Sequence, residues 1–317
     1  MSYWVKGMRD AFFDSLFTIA RKDKDLVLVT ADTGAVCHDE FKKILPKQYI
    51  NVGIAEQNMI GVAAGLAMLG KKVFVYAIAP FATMRCYEQI RVDLCCMNLS
   101  VNIIGIGAGF DYSTLGPTHH GTEDIALMRA LPGMKIYSPS DSLAAAYFAK
   151  ISYDGLGVKY IRLDRTGLPL VYKFKKQINM QKGFTILRQG ADVFIIATGR
   201  MVNNALEIAT ELAKHSISVG VIDLFKVKPI NKKVLSDALR DVKHVVTLEE
   251  HFVTGGIGSS IAEIFAVLAK APQLEIIGVP DCFCRRYGTR EYLQKINKID
   301  VKSVVGKIER IMLRLAK

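Results

Sequence analysis

Asn51-Val52-Gly53-Ile54-Ala55-Glu56-Gln57-Asn58-Met59 runs directly into the apolar segment Ile60 to Leu69. A single carboxylate, Glu56, heads a run made almost wholly of Ile, Val, Ala, Gly, Leu and Met. A carboxylate in such surroundings is desolvated, so its pKa is expected to be raised and it can hold or pass a proton near neutral pH. The plainer alternative places Glu56 in the first turn of a helix, where it complements free amides and the helix dipole.

The flanking sequence sets that helix in a repeating frame. Met8 to Lys22 is amphipathic at helical spacing, and Leu26 to Thr30 is a β-branched apolar run that reads as a buried strand. The loop Ala31-Asp32-Thr33-Gly34 leaves its carboxyl end, where open α/β sheets place ligands, so Asp32 is a candidate substrate contact. Helix and strand then recur: Ile54 to Leu69 with Val73 to Tyr76, Phe81 to Met97 with Val101 to Ile106, and Ser142 to Ser152 with Lys159 to Leu163. The pattern restarts with strands at Asp192 to Ala197, Val219 to Leu224, Val245 to Leu248 and Leu274 to Val279, and a terminal helix covers Val301 to Leu315. This alternation predicts an α/β protein of two domains, each a mainly parallel sheet flanked by helices. The expected division is residues 1–168, a turn-rich basic linker over 169–182, and a second domain over 183–317.

Composition narrows the class. The 317 residues are half hydrophobic and 23% charged, without a low-complexity tract, as in a soluble protein with real cores. The longest apolar runs are about a dozen residues, too short to cross a bilayer, and Lys6, Arg9, Asp10 and Asp14 interrupt any signal-peptide core. The six cysteines have no zinc or thioredoxin spacing, which implies reduced thiols and a cytoplasmic compartment. The net charge of +12 is spread along the chain and not gathered into an aromatic-interleaved stripe, so no nucleic-acid partner is expected. Solvated surface accounts for it, and attraction of phosphorylated substrates is a modest addition.

Several motifs carry a resemblance. Gly53-Ile54-Ala55-Glu56-Gln57-Asn58 resembles the glutamate motif of the transketolase family, which includes 1-deoxyxylulose-5-phosphate synthases. In that family the motif lies in the domain that binds the pyrimidine of thiamine diphosphate. The resemblance implies that Glu56 bonds the aminopyrimidine ring nitrogen and favours its imino tautomer, which removes the thiazolium C2 proton. Ile54 falls among the cofactor contacts. Pro80-Phe81 through Arg91 resembles the segment whose aromatics stack on the aminopyrimidine, which implies a platform at Phe81 and a contact at Tyr87. Both could instead be helix core, and Arg85 and Arg91 surface or interface residues.

Leu115-Gly116-Pro117-Thr118-His119-His120-Gly121 contains the family's Gly-Pro-Thr-His loop, which implies that His119 bonds substrate oxygens and shuttles a proton. Arg165, in Arg162-Leu163-Asp164-Arg165-Thr166-Gly167, matches an arginine that grips a sugar phosphate; pairing with Asp164 or a surface acid is the alternative. The preceding Gly105-Ile106-Gly107-Ala108-Gly109 is a weak dinucleotide fingerprint, because no helix follows it. Leu248-Glu249-Glu250-His251 and the turn Gly255-Gly256-Ile257-Gly258 resemble the transketolase C-terminal domain, with His251 read as structural.

The chain departs from the family in two places. An Asp usual before Gly-Pro-Thr-His is Leu115, and a His or Arg some eight residues earlier gives way to Gly107 or Ala108. Loss of these polar groups puts ordinary pentose-phosphate substrates in question. In addition, the family holds the diphosphate through Mg²⁺ with Gly-Asp-Gly and a later Asn in a separate domain, and no Gly-Asp-Gly occurs here. The resemblance therefore implies a β-type subunit of a split transketolase, completed by a diphosphate-binding partner in an α2β2 assembly, transferring a two-carbon ketol unit between (phospho)sugars. Decarboxylative chemistry, as in 1-deoxyxylulose-5-phosphate synthase or a 2-oxo acid dehydrogenase subunit, and a non-catalytic regulatory homologue are the rivals.

Overall fold

The computed structural model describes residues 6–315. Its strands in chain order are β1 Leu26–Thr30, β2 Tyr49–Asn51, β3 Lys72–Ile78, β4 Val101–Ile106, β5 Lys135–Tyr137, β6 Lys159–Leu163, β7 Thr185–Arg188, β8 Val193–Ala197, β9 Val219–Asp223, β10 Lys226–Lys228, β11 His244–Phe252 and β12 Gln273–Val279. They form a seven-stranded sheet, β10-β5-β6-β4-β3-β1-β2, and a five-stranded sheet, β12-β11-β8-β9-β7. Each sheet is parallel except at one edge, where β10 runs antiparallel to β5 and β7 antiparallel to β9. The expected two-sheet α/β architecture is the one observed.

The β-branched runs are continuous because both faces of each sheet are covered. In β1, Val27 and Val29 enter one core while Leu26 and Leu28 enter another; in β3, Val73 and Val75 part from Phe74 and Tyr76 in the same way. The first core receives Met59, Ile60, Ala63 and Ala64 from the helix Glu56–Met68. The second receives Phe12, Phe13 and Leu16 from the helix Met8–Ala20, and Ala144, Ala145 and Phe148 from Ser142–Asp154. A third core lies on the far face of the smaller sheet, under the helices Met201–Ala213 and Val301–Leu315.

The first core is shared. Phe194 and Ile196 of β8 join it beside Val73 and Ile103, so one apolar mass fuses the two sheets. β10 strengthens the junction: it follows the second sheet's β9 but pairs with β5 of the first. The sequence pattern, which places strands at Val219 to Leu224 and next at Val245 to Leu248, gives no sign of this crossing. The expected helix Phe81 to Met97 is also replaced by three short turns, Ala79–Thr83, Tyr87–Gln89 and a wide π-type segment Ile90–Cys96. Among the described residues, no helix is long and apolar enough to cross a membrane.

Strand order places the site. β1 has β2 on one side and β3 on the other, all three parallel, so strand order reverses there, and the carboxyl ends of the strands at such a point are where open α/β sheets place ligands. Asp32 follows β1, Glu56 follows β2, Phe81 follows β3, the 107–121 loop follows β4, and Arg165 follows β6.

Candidate active site

Glu56 opens its helix and is 2% exposed. Its charge is met by a residue 29 positions away: Arg85 Nη1 donates to Glu56 Oε2 at 2.7 Å. A guanidinium–carboxylate bond of this length replaces water that burial has removed. The local sequence carried no sign of this partner. Glu56 Oε1 accepts no hydrogen bond from the described residues.

From Arg85 the contacts continue in one direction. Its guanidinium carbon lies 4.2 Å from the centre of the Phe81 ring. Phe81 meets the His119 ring edge-on, with centroids 5.1 Å apart. His119 stands 6.0 Å from the Tyr112 ring, and the Arg165 guanidinium lies 4.0 Å over that same ring. Glu56, Arg85, Phe81, His119, Tyr112 and Arg165 thus form one unbroken series of contacts. Four of the six are marked by sequence motifs, from segments up to 109 positions apart (165 − 56).

The loop carrying His119 is tied at its neck by reciprocal bonds, Gly109 N–H to Gly121 O at 3.0 Å and Gly121 N–H to Gly109 O at 2.9 Å. The glycines here answer to packing and not to a dinucleotide. Gly107 has φ +92°, and a Cβ on it would lie 2.3 Å from the Tyr112 ring; one on Gly109 would lie 2.2 Å from Glu250 Oε2. His119 shares a 2.8 Å hydrogen bond between Nδ1 and Thr118 Oγ1. Burial and then the Arg85 charge pull its pKa below the usual value, so the imidazole is neutral at neutral pH. His120 turns the other way into the core, edge-on to Phe110, and burial pulls it down to about 4. The adjacent histidines therefore diverge, and no group of three His, Cys, Asp or Glu among the described residues could hold a metal.

Arg165 is paired with neither Asp164 nor a surface acid. Its backbone N–H and Nε donate to Asp111 Oδ2 at 2.9 and 3.2 Å, and Nη2 donates to Asp111 O at 2.8 Å. Nη1 has no partner among the described residues and remains available to an anion. Asp164 instead accepts from Arg290 Nη1 at 2.5 Å. Arg290 also donates to Glu250 Oε2 from Nη2 at 2.6 Å and to Ala108 O at 3.1 Å. Burial and the neighbouring Asp164 push Asp111 up to about 6, against the pull of Arg290 and Arg165. One buried guanidinium from the smaller-sheet half therefore pins both loops that present His119 and Arg165. Sequence reasoning did not single out Arg290, whose partners lie 40 to 182 residues away.

The remaining candidates stand apart from this series. Asp32 (φ +55°) is exposed and exchanges bonds with Asn51, N–H to Oδ1 at 3.0 Å and Oδ1 from Nδ2 at 2.8 Å. Ile54 is exposed. Tyr87 packs against the shared core and donates to Leu127 O at 3.1 Å. His251 is built into the fold, with Nε2 accepting from Ala126 N–H at 3.2 Å and Nδ1 bonded to Phe252 O at 2.7 Å.

Residues 6–169 match the model of the transketolase pyrimidine-binding domain, and residues 183–304 that of the transketolase C-terminal domain. The chain belongs to the transketolase family. It is 38% identical over 276 residues to the B-type subunit of apulose-4-phosphate transketolase from Phocaeicola vulgatus, a match covering 86% of this chain and 87% of that one. It is 37% identical over 276 residues to 1-deoxy-D-xylulose-5-phosphate synthase of Rippkaea orientalis, but there the match covers 85% of this chain and only 43% of the synthase. Among solved structures, a split-gene transketolase in the form of an inactive β4 tetramer superimposes with a TM-score of 0.86 at 35% identity, covering 96% of this chain and 98% of that one. The family's activity is thiamine-dependent ketol transfer, and these relatives include subunits of split enzymes.

Proposed function

We propose that this chain is the β-type subunit of a split, thiamine diphosphate-dependent transketolase that moves a two-carbon ketol unit between sugar or sugar-phosphate substrates. The observation that carries this reading is the contact series from Glu56 to Arg165, which lines up a buried acid, an aromatic ring, a neutral imidazole and an anion-binding fork at a strand-order reversal. The near end-to-end match to a separate transketolase subunit, against less than half of a synthase, favours the split enzyme.

The residues fit the pyrimidine end of the cofactor. Glu56 Oε1 is the unpartnered acceptor of a buried acid, and Phe81 offers a ring on the other side of their shared neighbour Arg85. They do not provide a set of carboxylates for Mg²⁺. The diphosphate and metal belong in this reading to a partner with the family's diphosphate-binding domain, in an α2β2 assembly. Bound thiamine diphosphate supplies the carbon nucleophile and electron sink. Glu56 holds the proton-linked hydrogen bond at the pyrimidine, and its burial keeps that bond strong. Phe81 stacks, with Ile54 and Tyr87 at the margin. His119, neutral at working pH, takes and returns a substrate hydroxyl proton. Arg165 Nη1 holds an anionic end of the sugar, and Asp32 flanks the entrance. The domain division 1–168, 169–182 and 183–317 and a cytoplasmic location belong to the same proposal.

The test is co-expression with a candidate diphosphate-binding partner chain and an assay of ketol transfer with thiamine diphosphate and Mg²⁺. The assembled pair transfers two carbons, and Glu56→Ala abolishes transfer without preventing assembly. Failure of the pair to transfer, or full activity in Glu56→Ala, overturns the reading.

A further inference from the structure

We propose that the Tyr112 phenol is a substrate-binding group that reads the sugar hydroxyls between the reacting carbons and the anionic end. This rests on the assignments of His119 and Arg165 above and deepens them. The Tyr112 ring lies between the two: His119 stands 6.0 Å to one side, and the Arg165 guanidinium lies 4.0 Å over the ring. Beneath it the chain has no side chain, since a Cβ at Gly107 would come within 2.3 Å of Tyr112 Cε2. The loop secures it further through Leu115 N–H to Tyr112 O at 2.9 Å.

None of this packing uses the hydroxyl. A phenylalanine would fill the same space beside Gly107 and under Arg165. Yet the residue is only half-buried, and its oxygen makes no hydrogen bond to any described residue. A phenol O–H left idle in a partly dry site forgoes a bond that a ligand can supply. Burial raises the phenol above its ordinary value, with Arg165 opposing, so the group is a neutral donor at working pH. The ligand class that spans His119, a hydroxyl donor and a guanidinium is a polyhydroxylated aldose with a terminal phosphate. A two-carbon acceptor without phosphate has no group that reaches Tyr112 once its carbonyl lies at His119.

The test uses the chain assembled with its diphosphate-binding partner, D-xylulose 5-phosphate as donor, and two sets of acceptors. One set is D-glyceraldehyde 3-phosphate, D-erythrose 4-phosphate and D-ribose 5-phosphate; the other is glycolaldehyde. In Tyr112→Phe, the ratio of kcat/KM for the best aldose phosphate to that for glycolaldehyde falls about tenfold, mainly through KM, as for one lost hydrogen bond. Gly107→Ala, which drives the ring out of place, shifts the ratio in the same direction. An unchanged ratio in Tyr112→Phe, or an equal fall for both sets, overturns the inference while ketol transfer stands. A wild-type assembly that transfers two carbons to none of the acceptors, from D-xylulose 5-phosphate or from a panel of other ketoses and ketose phosphates, overturns the ketol-transfer reading and this one with it.

Discussion

Replacing Arg290 by Met probes the joint on which the site's two loops rest. The Arg290 side chain is 8% exposed, and its guanidinium faces Asp164 at 2.5 Å, Asp111 at 3.6 Å and Glu250 at 2.6 Å, all of them buried acids. Met keeps much of the aliphatic volume but removes the cation, leaving three carboxylates in a poorly hydrated space. Breaking a buried ion pair by deleting one partner costs about 3–5 kcal/mol. Arg165 on Asp111, Thr166 on Asp164, and Gln294 and the Phe110 N–H on Glu250 retain part of the compensation, so a value within that range and not above it is expected. For a chain of this size that is a fall in apparent Tm of roughly 5–10 °C.

The pH dependence has a definite sign. In the variant the clustered acids have folded-state pKa values raised above their unfolded values. Such acids favour the folded state at low pH and lose that contribution as pH rises. The gap between wild type and Arg290→Met should therefore be wider at pH 8 than at pH 5. Urea unfolding followed by far-UV circular dichroism at both pH values measures it. A loss under about 1 kcal/mol, or a gap that widens on acidification, would refute the assignment of Arg290 as the charge that holds these loops.

Asp223 is buried where Ser140 Oγ and Tyr172 Oη each donate to its Oδ2 at 2.6 Å, and burial pushes it up to about 7. As a raised acid it contributes stability below its ordinary value near 3.8 that is lost as pH rises to about 7. Asp223→Asn should thus flatten the decline of Tm between pH 4.5 and 7, and an unaltered slope counts against it. Gly109→Ala puts a side chain at φ +57° and within 2.2 Å of Glu250 Oε2, so a loss of roughly 1–3 kcal/mol in urea is expected, and wild-type stability would show that the neck of the loop yields to a side chain there.

The fold was legible where its signal is local. Runs such as Leu26 to Thr30 are apolar throughout because alternate side chains enter separate cores, and the intervening helices carry the matching face. β10 was not legible: Lys226-Val227-Lys228 is too short to show a period, and its pairing with β5 is fixed by the joining of the two sheets. The helix expected over Phe81 to Met97 gives way to short turns that bring Arg85 back onto both Glu56 and Phe81. At the site, Glu56, Phe81, His119 and Arg165 stand out by motif. Their partners Arg85, Tyr112, Asp111 and Arg290 do not, because a lone charge or ring carries no mark of what it will face across tens of residues. The same limit explains why sequence offers Asp164, the chain neighbour, as a partner for Arg165, when Asp111 holds it in the fold.

The most direct test of Glu56 as the cofactor-activating acid is the rate of deuterium exchange at thiazolium C2 of thiamine diphosphate bound to the assembled pair, followed by proton NMR after acid quench. The wild-type pair should accelerate exchange, and Glu56→Ala should slow it by on the order of 10²-fold or more while still binding the cofactor. Equal exchange rates in the two would contradict the central role given to Glu56.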